Sequence, residues 1–410
     1  MNAQLKNKGN AEERQRGSVL VLVAVSLTMM LVMLAFAFDY GWIILTKSEL
    51  QSAADSAALA GAAQLMDEDE MLGISNFDND LIEARDSAEE YAQLNEAANV
   101  YLSLDRNDEN VIDGGVVVGY IEDPFDIESP MQTESIETYN SVEVVAERSD
   151  TLNGPLGLFL GGITGVNELN LRVRSTATLD DRVVGFGIAS NWPKRLGILP
   201  FSLHIDRWNE AFATAYESNS VLPMDPSGPV IGAMGIPLFL HWMAGPTVVT
   251  FPTVKMYPYK EDTPGNFGTI DIGSADNSAS VLKDQIENGA SSDDMALIGG
   301  LKLTDEDEDG IFTKWFNGDT GMSATLKESI VKIYGQPRIL PLHRQMIYNG
   351  NNAMFEVCQY VGVKVVSMKM TGAEANRYIE VQPYQCVVRE AEINPMAPHS
   401  KFVFALSLTR

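Results

Sequence analysis

Cysteine and histidine are scarce in this chain of 410 residues. It contains two cysteines, Cys358 and Cys386, and four histidines. The cysteines form no C-x-x-C pair and the histidines show no H-x-x-x-H or H-E-x-x-H spacing, so neither a zinc site nor a redox motif is indicated. In an oxidising compartment the two cysteines are candidates for a disulfide. Two buried free thiols are the alternative, because spacing alone does not place two Cβ atoms within reach.

Basic residues are also few. Lys and Arg total 29 against 56 Asp and Glu, which gives a formal net charge of −27. A chain of this charge repels phosphate backbones, so a nucleic-acid partner is not expected. The acidic residues are expected to keep an exported surface soluble.

Familiar catalytic motifs are missing as well. The sequence has no P-loop, no dinucleotide-binding fingerprint and no G-x-S-x-G elbow. Nothing in it sets a nucleophile beside a base, as a hydrolase requires. We therefore expect a protein that is not an enzyme, with no cofactor and no small-molecule substrate.

Charge is absent from one long stretch near the N-terminus. Ser18 to Phe38 contains no charged side chain, and at about 1.5 Å per residue it is long enough to cross a hydrocarbon core of about 30 Å. Basic residues precede this run, and acidic and aromatic residues follow it. They are Lys6, Lys8, Arg14 and Arg16 before the run, and Asp39, Tyr40 and Trp42 after it.

This asymmetry predicts a single-pass span in a bacterial inner membrane, in contact with lipid over residues 18–38. Residues 1–17 would be a cytoplasmic tail, and the body would lie in the periplasm or beyond. A cleavable signal peptide ending at Ala35-Phe36-Ala37 is the alternative, and the length of the apolar run disfavours it.

The helix is expected to continue beyond the membrane. Lys47 to Met66 is rich in strong helix formers and contains no proline. An unbroken helix from Ser18 to Met66 would be about 70 Å long. Ala53, Ala57 and Gly61 form a small-residue stripe at i, i+4 spacing, which lets another backbone approach closely. The stripe would pack against the protein's own sheet or serve as an interaction surface for a partner.

The segments RGSVLVLVAVSL and FDYGWIILTKSELQSAADSAALAGAAQL resemble the N-terminal region of TadE/TadG-like proteins of Flp (Tad) pilus assembly. The likeness lies in an Arg-Gly pair before the apolar run, an acidic residue after it, and the pattern Leu-Gln-x-Ala-Ala-Asp-x-Ala-Ala-Leu-Ala. Type IV-like prepilins are cut after a Gly with Glu five places on, whereas here Gly17 is followed at that place by Leu22. The resemblance therefore implies the TadG-like branch, with an uncleaved anchor and Tad pilus assembly proteins as partners.

The rest of the pattern indicates an α+β fold. A helix over Glu83 to Asn95 and β-branched strands over Gly115 to Ile121 and Ser141 to Glu147 predict an antiparallel sheet domain within residues 39–180. Short strands and turns predict a second, mostly β domain over residues 181–410. Its expected strands are Gly197–Leu203, Pro246–Pro252, Val361–Met368, Tyr378–Val381 and Phe402–Leu408, and its expected helices are Ser280–Asn288 and Met322–Tyr334.

One motif suggests a cation site of the von Willebrand A type. Asp276, Ser278 and Ser280 spell D-x-S-x-S, in which two hydroxyls and a carboxylate supply oxygen ligands to Mg²⁺. That module needs a buried parallel strand before the motif, and the preceding residues are too polar and too Gly-broken to form one. Capping of the following helix is the alternative.

A second motif suggests calcium. Asp305, Asp307 and Asp309 begin a D-x-D-x-D-G loop, but its twelfth position is Phe316 instead of the bidentate Glu. A solvated turn between strands is the alternative. The sequence as a whole predicts a membrane-anchored structural or scaffolding component of Flp/Tad pilus assembly, and an anchored metal-dependent adhesion or sensor protein is the other hypothesis.

Overall fold

The computed structural model describes residues 2–66, 71, 77–134, 138–187, 194–218, 252–256, 267–273, 278–319, 323–348, 352–371 and 377–409. Most of the predicted strand Pro246–Pro252 lies outside these residues, and so does Asp276. The described part combines helices and strands, as expected for an α+β protein.

The first helix, α1, spans Asn2–Ala63 without a break. It begins earlier than the predicted Ser18 and ends three residues before the predicted Met66. Among the described residues, α1 is the one helix long and apolar enough to cross a membrane by length and composition, and none of its most apolar stretch is buried. The long N-terminal apolar helix expected from the sequence is therefore present.

The other helices are shorter. They are α2 (Phe77–Gln93), α3 (Gly161–Thr164), α4 (Ile205–Ser218), α5 (Ala279–Asn288), α6 (Ser292–Leu297) and α7 (Lys327–Lys332). The predicted helices Glu83–Asn95 and Ser280–Asn288 correspond to α2 and α5. Within the predicted Met322–Tyr334, a 3-10 turn over Ala324–Leu326 precedes α7.

The strands follow in chain order. They are β1 (Glu96–Ala97), β2 (Val100–Tyr101), β3 (Val116–Gly119), β4 (Ser141–Arg148), β5 (Leu156–Gly157), β6 (Glu168–Leu169), β7 (Leu171–Asp180), β8 (Val183–Phe186), β9 (Phe201–His204), β10 (Val254–Met256), β11 (Phe267–Ile270), β12 (Asp305–Glu306), β13 (Phe312–Asp319), β14 (Pro337–Ile347), β15 (Ala353–Lys369), β16 (Tyr378–Pro383), β17 (Cys386–Val387), β18 (Ala391–Ile393) and β19 (Val403–Leu408).

The first sheet has five strands in the order β17-β19-β7-β4-β3. All neighbouring pairs in it are antiparallel except β17 with β19. Helices α1 and α2 share one hydrophobic core with this sheet, in which alanines of both helices meet valines of β3 and β4. Since these β-branched residues suit a half-buried pleated surface, the strands β3 and β4 form where the sequence predicts strands.

The second sheet has eight strands in the order β10-β16-β15-β14-β9-β11-β13-β12. Strand β13 also pairs with β15, so the sheet curves back on itself into a partial β-barrel. Strands β14 and β9 run parallel, and the other pairs in this sheet are antiparallel. Two further clusters of buried hydrophobic residues fill this part of the molecule.

Strand β19, near the C-terminus, belongs to the first sheet. It pairs with β7 in the register Ala405↔Asp180 to Leu408↔Ala177. The first sheet therefore includes two strands, β17 and β19, from the range 181–410, which the sequence analysis assigns as a whole to a second domain. The boundary near residue 180 stays a prediction.

Candidate functional site

Helix α1 has two parts that differ in the exposure of their side chains. From Val19 to Phe38 every side chain is exposed except those of Val32 and Ala35, which are partly buried. From Asp39 onward one face is buried at helical spacing, and Leu50 and Ala53 have no exposed surface. A single helix thus has an exposed apolar surface before Asp39 and, after Asp39, one face that is buried in the protein core.

The transition occurs at Asp39, whose side chain is only 6% exposed. Its two carboxylate oxygens accept hydrogen bonds from the backbone N–H groups of Phe159 and Leu160, at 2.8 and 3.0 Å. The rings of Trp42 and Phe159 also meet, with centroids 6.0 Å apart. Bonds between a carboxylate and backbone amides are charge-assisted and therefore strong. This junction fixes the segment around residue 159 to the start of the buried part of α1.

Residues 155–170 form a hairpin between β5 and β6. Leu156 pairs with Leu169, and the turn of helix α3 occupies the tip. At its base the guanidinium of Arg148 donates to the carbonyl oxygens of Gly154, Pro155 and Ala97, at 2.8, 3.3 and 2.7 Å. Arg148 is almost fully buried, and desolvation lowers its pKa. The hairpin is thus held at both ends, by the first sheet and by α1.

The small-residue stripe lies inside the protein. Ala53 and Ala57 have no exposed surface, and they belong to the core shared with α2 and the first sheet. A Cβ added to Gly61 would lie 2.9 Å from the carbonyl oxygen of Ala84 and 3.1 Å from a methyl group of Val142. Of the two interpretations of the stripe, packing against the protein's own elements is the one found. The three residues do not form an open surface for a partner.

These features agree with the comparison with known families. Residues 17–64 match the family described as putative Flp pilus-assembly TadE/G-like. The matched segment covers the apolar run, Asp39 and the small-residue stripe, and it ends one residue after α1. It does not separate the TadG branch from the TadE branch. No curated protein and no solved structure matches the chain.

Outside this family segment, the acidic loop after β12 does not gather ligands for a metal. The carboxylate of Asp307 forms an ion pair with Arg344 and accepts from the backbone N–H groups of Asp309 and Ile311, at 2.9 and 2.8 Å. The Arg344 guanidinium, followed by the Ile311 amide, lowers the pKa of Asp307. Asp305 belongs to β12 and pairs with Thr313 of β13.

Among the described residues, no group of three or more His, Cys, Asp or Glu side chains is placed to hold a metal. In this structure Asp307 belongs to a turn closed by Arg344, and its carboxylate is used by the guanidinium and by the turn itself. The calcium interpretation of Asp305, Asp307 and Asp309 stays a prediction.

The D-x-S-x-S motif is only partly described, because Asp276 lies outside the described residues. Ser278 precedes α5 in an extended conformation, and its hydroxyl lies 3.0 Å from that of Ser280. It makes no side-chain capping bond to the helix. The strand before the motif, β11, is antiparallel to both β9 and β13. This differs from the parallel strand that a von Willebrand A module requires.

The two cysteines are free thiols in this structure. The Cys386 sulfur lies beside Gly362, where an added Cβ would be 3.0 Å from it. Cys358 sits four residues from Gly362 along β15, about 13 Å at the rise of a strand. This separation exceeds the reach of a disulfide. Burial raises the pKa of both thiols to about 12, so neither is a reactive thiolate near neutral pH.

One buried Ser–His contact is invisible to motif searches. The Ser202 hydroxyl lies 2.8 Å from Nδ1 of His343, and neither residue has exposed surface. The two residues come from β9 and β14, which are parallel neighbours in the second sheet. Since a substrate cannot reach them, the contact is part of the packing of the sheet and not a nucleophile with its base.

A cavity of about 250 Å³ lies where the first sheet meets the returning C-terminal segment. Four of its titratable groups form two pairs: Arg182 with Asp180 at 2.7 Å, and His399 Nδ1 with Asp181 at 2.5 Å. The other carboxylate oxygen of Asp181 accepts from the Lys401 amide at 2.8 Å. No serine or cysteine is among the described residues that line it. The paired groups join residues 180–182 to residues 399–401, and we call them the Asp181–His399 clasp.

Proposed function

We propose that this protein is a single-pass, non-enzymatic component of Flp pilus assembly, anchored in the bacterial inner membrane by the apolar part of α1. The match of residues 17–64 supports an association with this system. The observation that carries the proposal is the continuity of α1 from an exposed apolar run into the core of the first sheet.

The continuity of α1 implies that the anchor and the folded body move as one unit. Since α1 has no break between Val19 and Ala63, the folded body cannot pivot freely about a linker. From Asp39 to Ala63 the helix is about 36 Å long, at 1.5 Å per residue. Because the body packs along this length of α1 and contacts it at Asp39, it would be held in a fixed position relative to the bilayer, as suits a scaffold that presents a surface to other assembly proteins.

The charges flanking the run favour an orientation with the N-terminus in the cytoplasm. The four basic residues that precede it are Lys6, Lys8, Arg14 and Arg16, and Asp39 follows it. The body, with its large excess of acidic residues, would lie in the periplasm.

The test begins with the location of the full chain in cells. The protein should stay with membranes after an alkaline carbonate wash, and protease should digest the body in spheroplasts but not in intact cells. A Leu27→Arg/Leu31→Arg variant should be washed off the membrane, because each arginine near the centre of a span costs about 3 kcal/mol. Recovery of the wild-type chain in the soluble fraction would reject the anchor.

The role in assembly is tested by deletion of the gene and counting of Flp pili. Complementation with the wild-type chain should restore pili. A chain whose residues 18–38 are replaced by an unrelated spanning helix should also restore them if this segment acts as an anchor alone. Normal piliation in the deletion strain would reject the assembly role.

A further inference from the structure

The hairpin of residues 155–170 has an exposed apolar tip. The side chain of Phe159 is 73% exposed and that of Val166 is 49% exposed. No charged residue occurs between Asp150 and Glu168. A Cβ built on Gly157, Gly162 or Gly165 would meet no atom within 4 Å, so the tip projects from the body. An exposed apolar projection of this kind is a candidate contact surface.

The height of the tip along α1 is set by direct contacts. Asp39 immediately follows the uncharged run, and its carboxylate holds the amides of Phe159 and Leu160. The contact between Trp42 and Phe159 lies within the same turn of helix. If the run spans the bilayer, as proposed above, Asp39 lies at its outer interface. Phe159 then lies at the same level.

The exposure of side chains within the apolar run of α1 also distinguishes the helix face that carries Asp39. Val32 and Ala35 are the two positions between Val19 and Phe38 that are not exposed. They lie two turns and one turn before Asp39, on the same face of α1. Within the run these two side chains alone are partly shielded, and they lie on the face of α1 that carries Asp39. The hairpin is the segment bonded to α1 at the top of this face.

Part of the backbone of the tip is already paired, as an apolar environment requires. Irregular backbone is costly in lipid unless its N–H groups are paired. Here the amide of Leu158 donates to the Asn167 carbonyl at 2.8 Å, and that of Gly165 donates to the Gly161 carbonyl at 2.8 Å. The amides of Phe159 and Leu160 are bound by Asp39. These four donors need no water.

From these observations, and resting on the proposed membrane anchor, we propose that the 155–170 hairpin inserts its tip into the outer leaflet beside α1. Its ligand is a lipid surface, with Phe159 among the acyl chains and Asp39 as the positioning residue. The chain is strongly acidic, so the contact is apolar and does not require anionic lipid. Together the hairpin and α1 give the body two points of attachment to the membrane, which restricts its rotation about α1.

The test uses the full chain in phosphatidylcholine vesicles, with an environment-sensitive fluorophore on a single introduced cysteine. Phe159→Cys reports the tip, and Leu27→Cys reports the middle of the apolar run. Phe125→Cys is the matched control, because Phe125 is also exposed, at 66%. It lies in the loop six residues after the end of β3. Val118 of β3 pairs with Val142, which lies beside Gly61, and Gly61 is about 33 Å along α1 from Asp39. Wild-type protein, whose two thiols are only partly exposed, controls for background labelling.

Lipids that carry a quencher at a shallow or a deep acyl position then report depth. We expect the label at residue 159 to be quenched strongly, more by the shallow quencher than by the deep one. The label at residue 27 should be quenched more by the deep quencher, and that at residue 125 by neither. Adding Asp39→Ala should reduce the quenching at residue 159 towards that at residue 125 and leave residue 27 unchanged.

The outcomes separate this inference from the anchor. Quenching at residue 27 but not at residue 159 would overturn the inserted hairpin and leave the anchor in place. A blue-shifted but unquenched label at residue 159 would also overturn it, because a second copy or another protein would then cover the tip. Absence of quenching at residue 27 would reject the anchor itself. Unchanged quenching at residue 159 in Asp39→Ala would overturn the positioning role of Asp39.

Discussion

At the scale of single residues, several charged side chains form ion pairs and hydrogen bonds that join distant segments of the fold. Glu356 is an example on β15. Its two carboxylate oxygens accept from Arg344 Nε and Nη2, at 2.9 and 3.0 Å, and its side chain is only 9% exposed. The same guanidinium pairs with Asp307, and the two carboxylates raise the pKa of Arg344. Arg344 thereby connects the acidic turn to the barrel.

Replacing Glu356 by Gln should therefore destabilise the protein. The amide keeps the shape but loses the charge, so the bidentate pair with Arg344 is weakened inside the fold. We expect the free energy of unfolding to fall by about 1–3 kcal/mol. Urea unfolding in detergent, followed by tryptophan fluorescence, measures this change, and Trp315 lies opposite Glu356 on β13. The control is Glu308→Gln on the exposed turn, which should change stability by about 0.5 kcal/mol or less. Equal effects of the two substitutions would contradict the prediction.

The sequence predicts such residues poorly. Asp305, Asp307 and Asp309 have the spacing of a calcium loop, yet the partner that occupies Asp307 is Arg344, on a strand that begins at Pro337. The roles of Asp39 and of the Ser202–His343 contact are hidden for the same reason. Each depends on a partner that is distant in sequence, and local spacing does not encode such a partner.

At the scale of elements, α1 was largely predictable. Its apolar run, its helix formers and its small-residue stripe are local properties of one segment, and they predicted a long helix with one closely packed face. The spacing did not decide what covers that face. The alanines of α2 and the valines of β4 cover it, and their positions become known only once the sheet is assembled.

Gly61 provides the test of this packing. An alanine would improve helix propensity by about 1 kcal/mol, but its methyl group would press on the Ala84 carbonyl and Val142. We expect the clash to prevail and Gly61→Ala to unfold the body more readily, by about 1–3 kcal/mol relative to the control. The control is Gly41→Ala, the same change in the same helix, where the added Cβ meets nothing within 4 Å. Thermal unfolding of both variants in detergent gives the comparison. A Gly61→Ala protein as stable as Gly41→Ala would show that α1 and α2 pack less closely than described.

At the scale of the whole molecule, the C-terminal strand β19 returns to pair with β7 of the first sheet. The segment Phe402–Leu408 was recognised as a strand from its own residues, but its partner was not predictable. Strand β19 pairs with β7 in the first sheet, and the strands of the second sheet lie between these two in the sequence. Such pairing depends on loop closure across the whole second half of the chain, which no local pattern records. The Asp181–His399 clasp lies at the same junction.

The Asp181–His399 clasp should make the stability of the junction between residues 180–182 and 399–401 depend on pH. The Asp181 carboxylate raises the pKa of His399 by its hydrogen bond and then by its charge, against partial desolvation and the nearby Arg182. A raised pKa in the folded state means that folding favours the protonated imidazole. The stabilisation is therefore complete below the unfolded-state pKa, about 6.5, and is lost as the pH rises through the higher folded-state pKa. The imidazole is 57% exposed, so solvent screens the interaction. We therefore expect this stabilisation to contribute no more than about 1 kcal/mol.

A His399→Asn variant isolates this contribution from the other titrating groups of an acidic protein. The asparagine amide can donate to Asp181 at every pH, so it has no titration of its own. We expect wild type to be the more stable protein at about pH 6 and to lose that advantage by about pH 9, because only imidazolium adds a charge to the clasp. Urea midpoints of the two full-length proteins, measured across this range, give the difference directly. A difference independent of pH would mean that His399 holds the C-terminal segment by its shape and hydrogen bond alone, and a difference that grows with pH would reverse the assignment of the charged form.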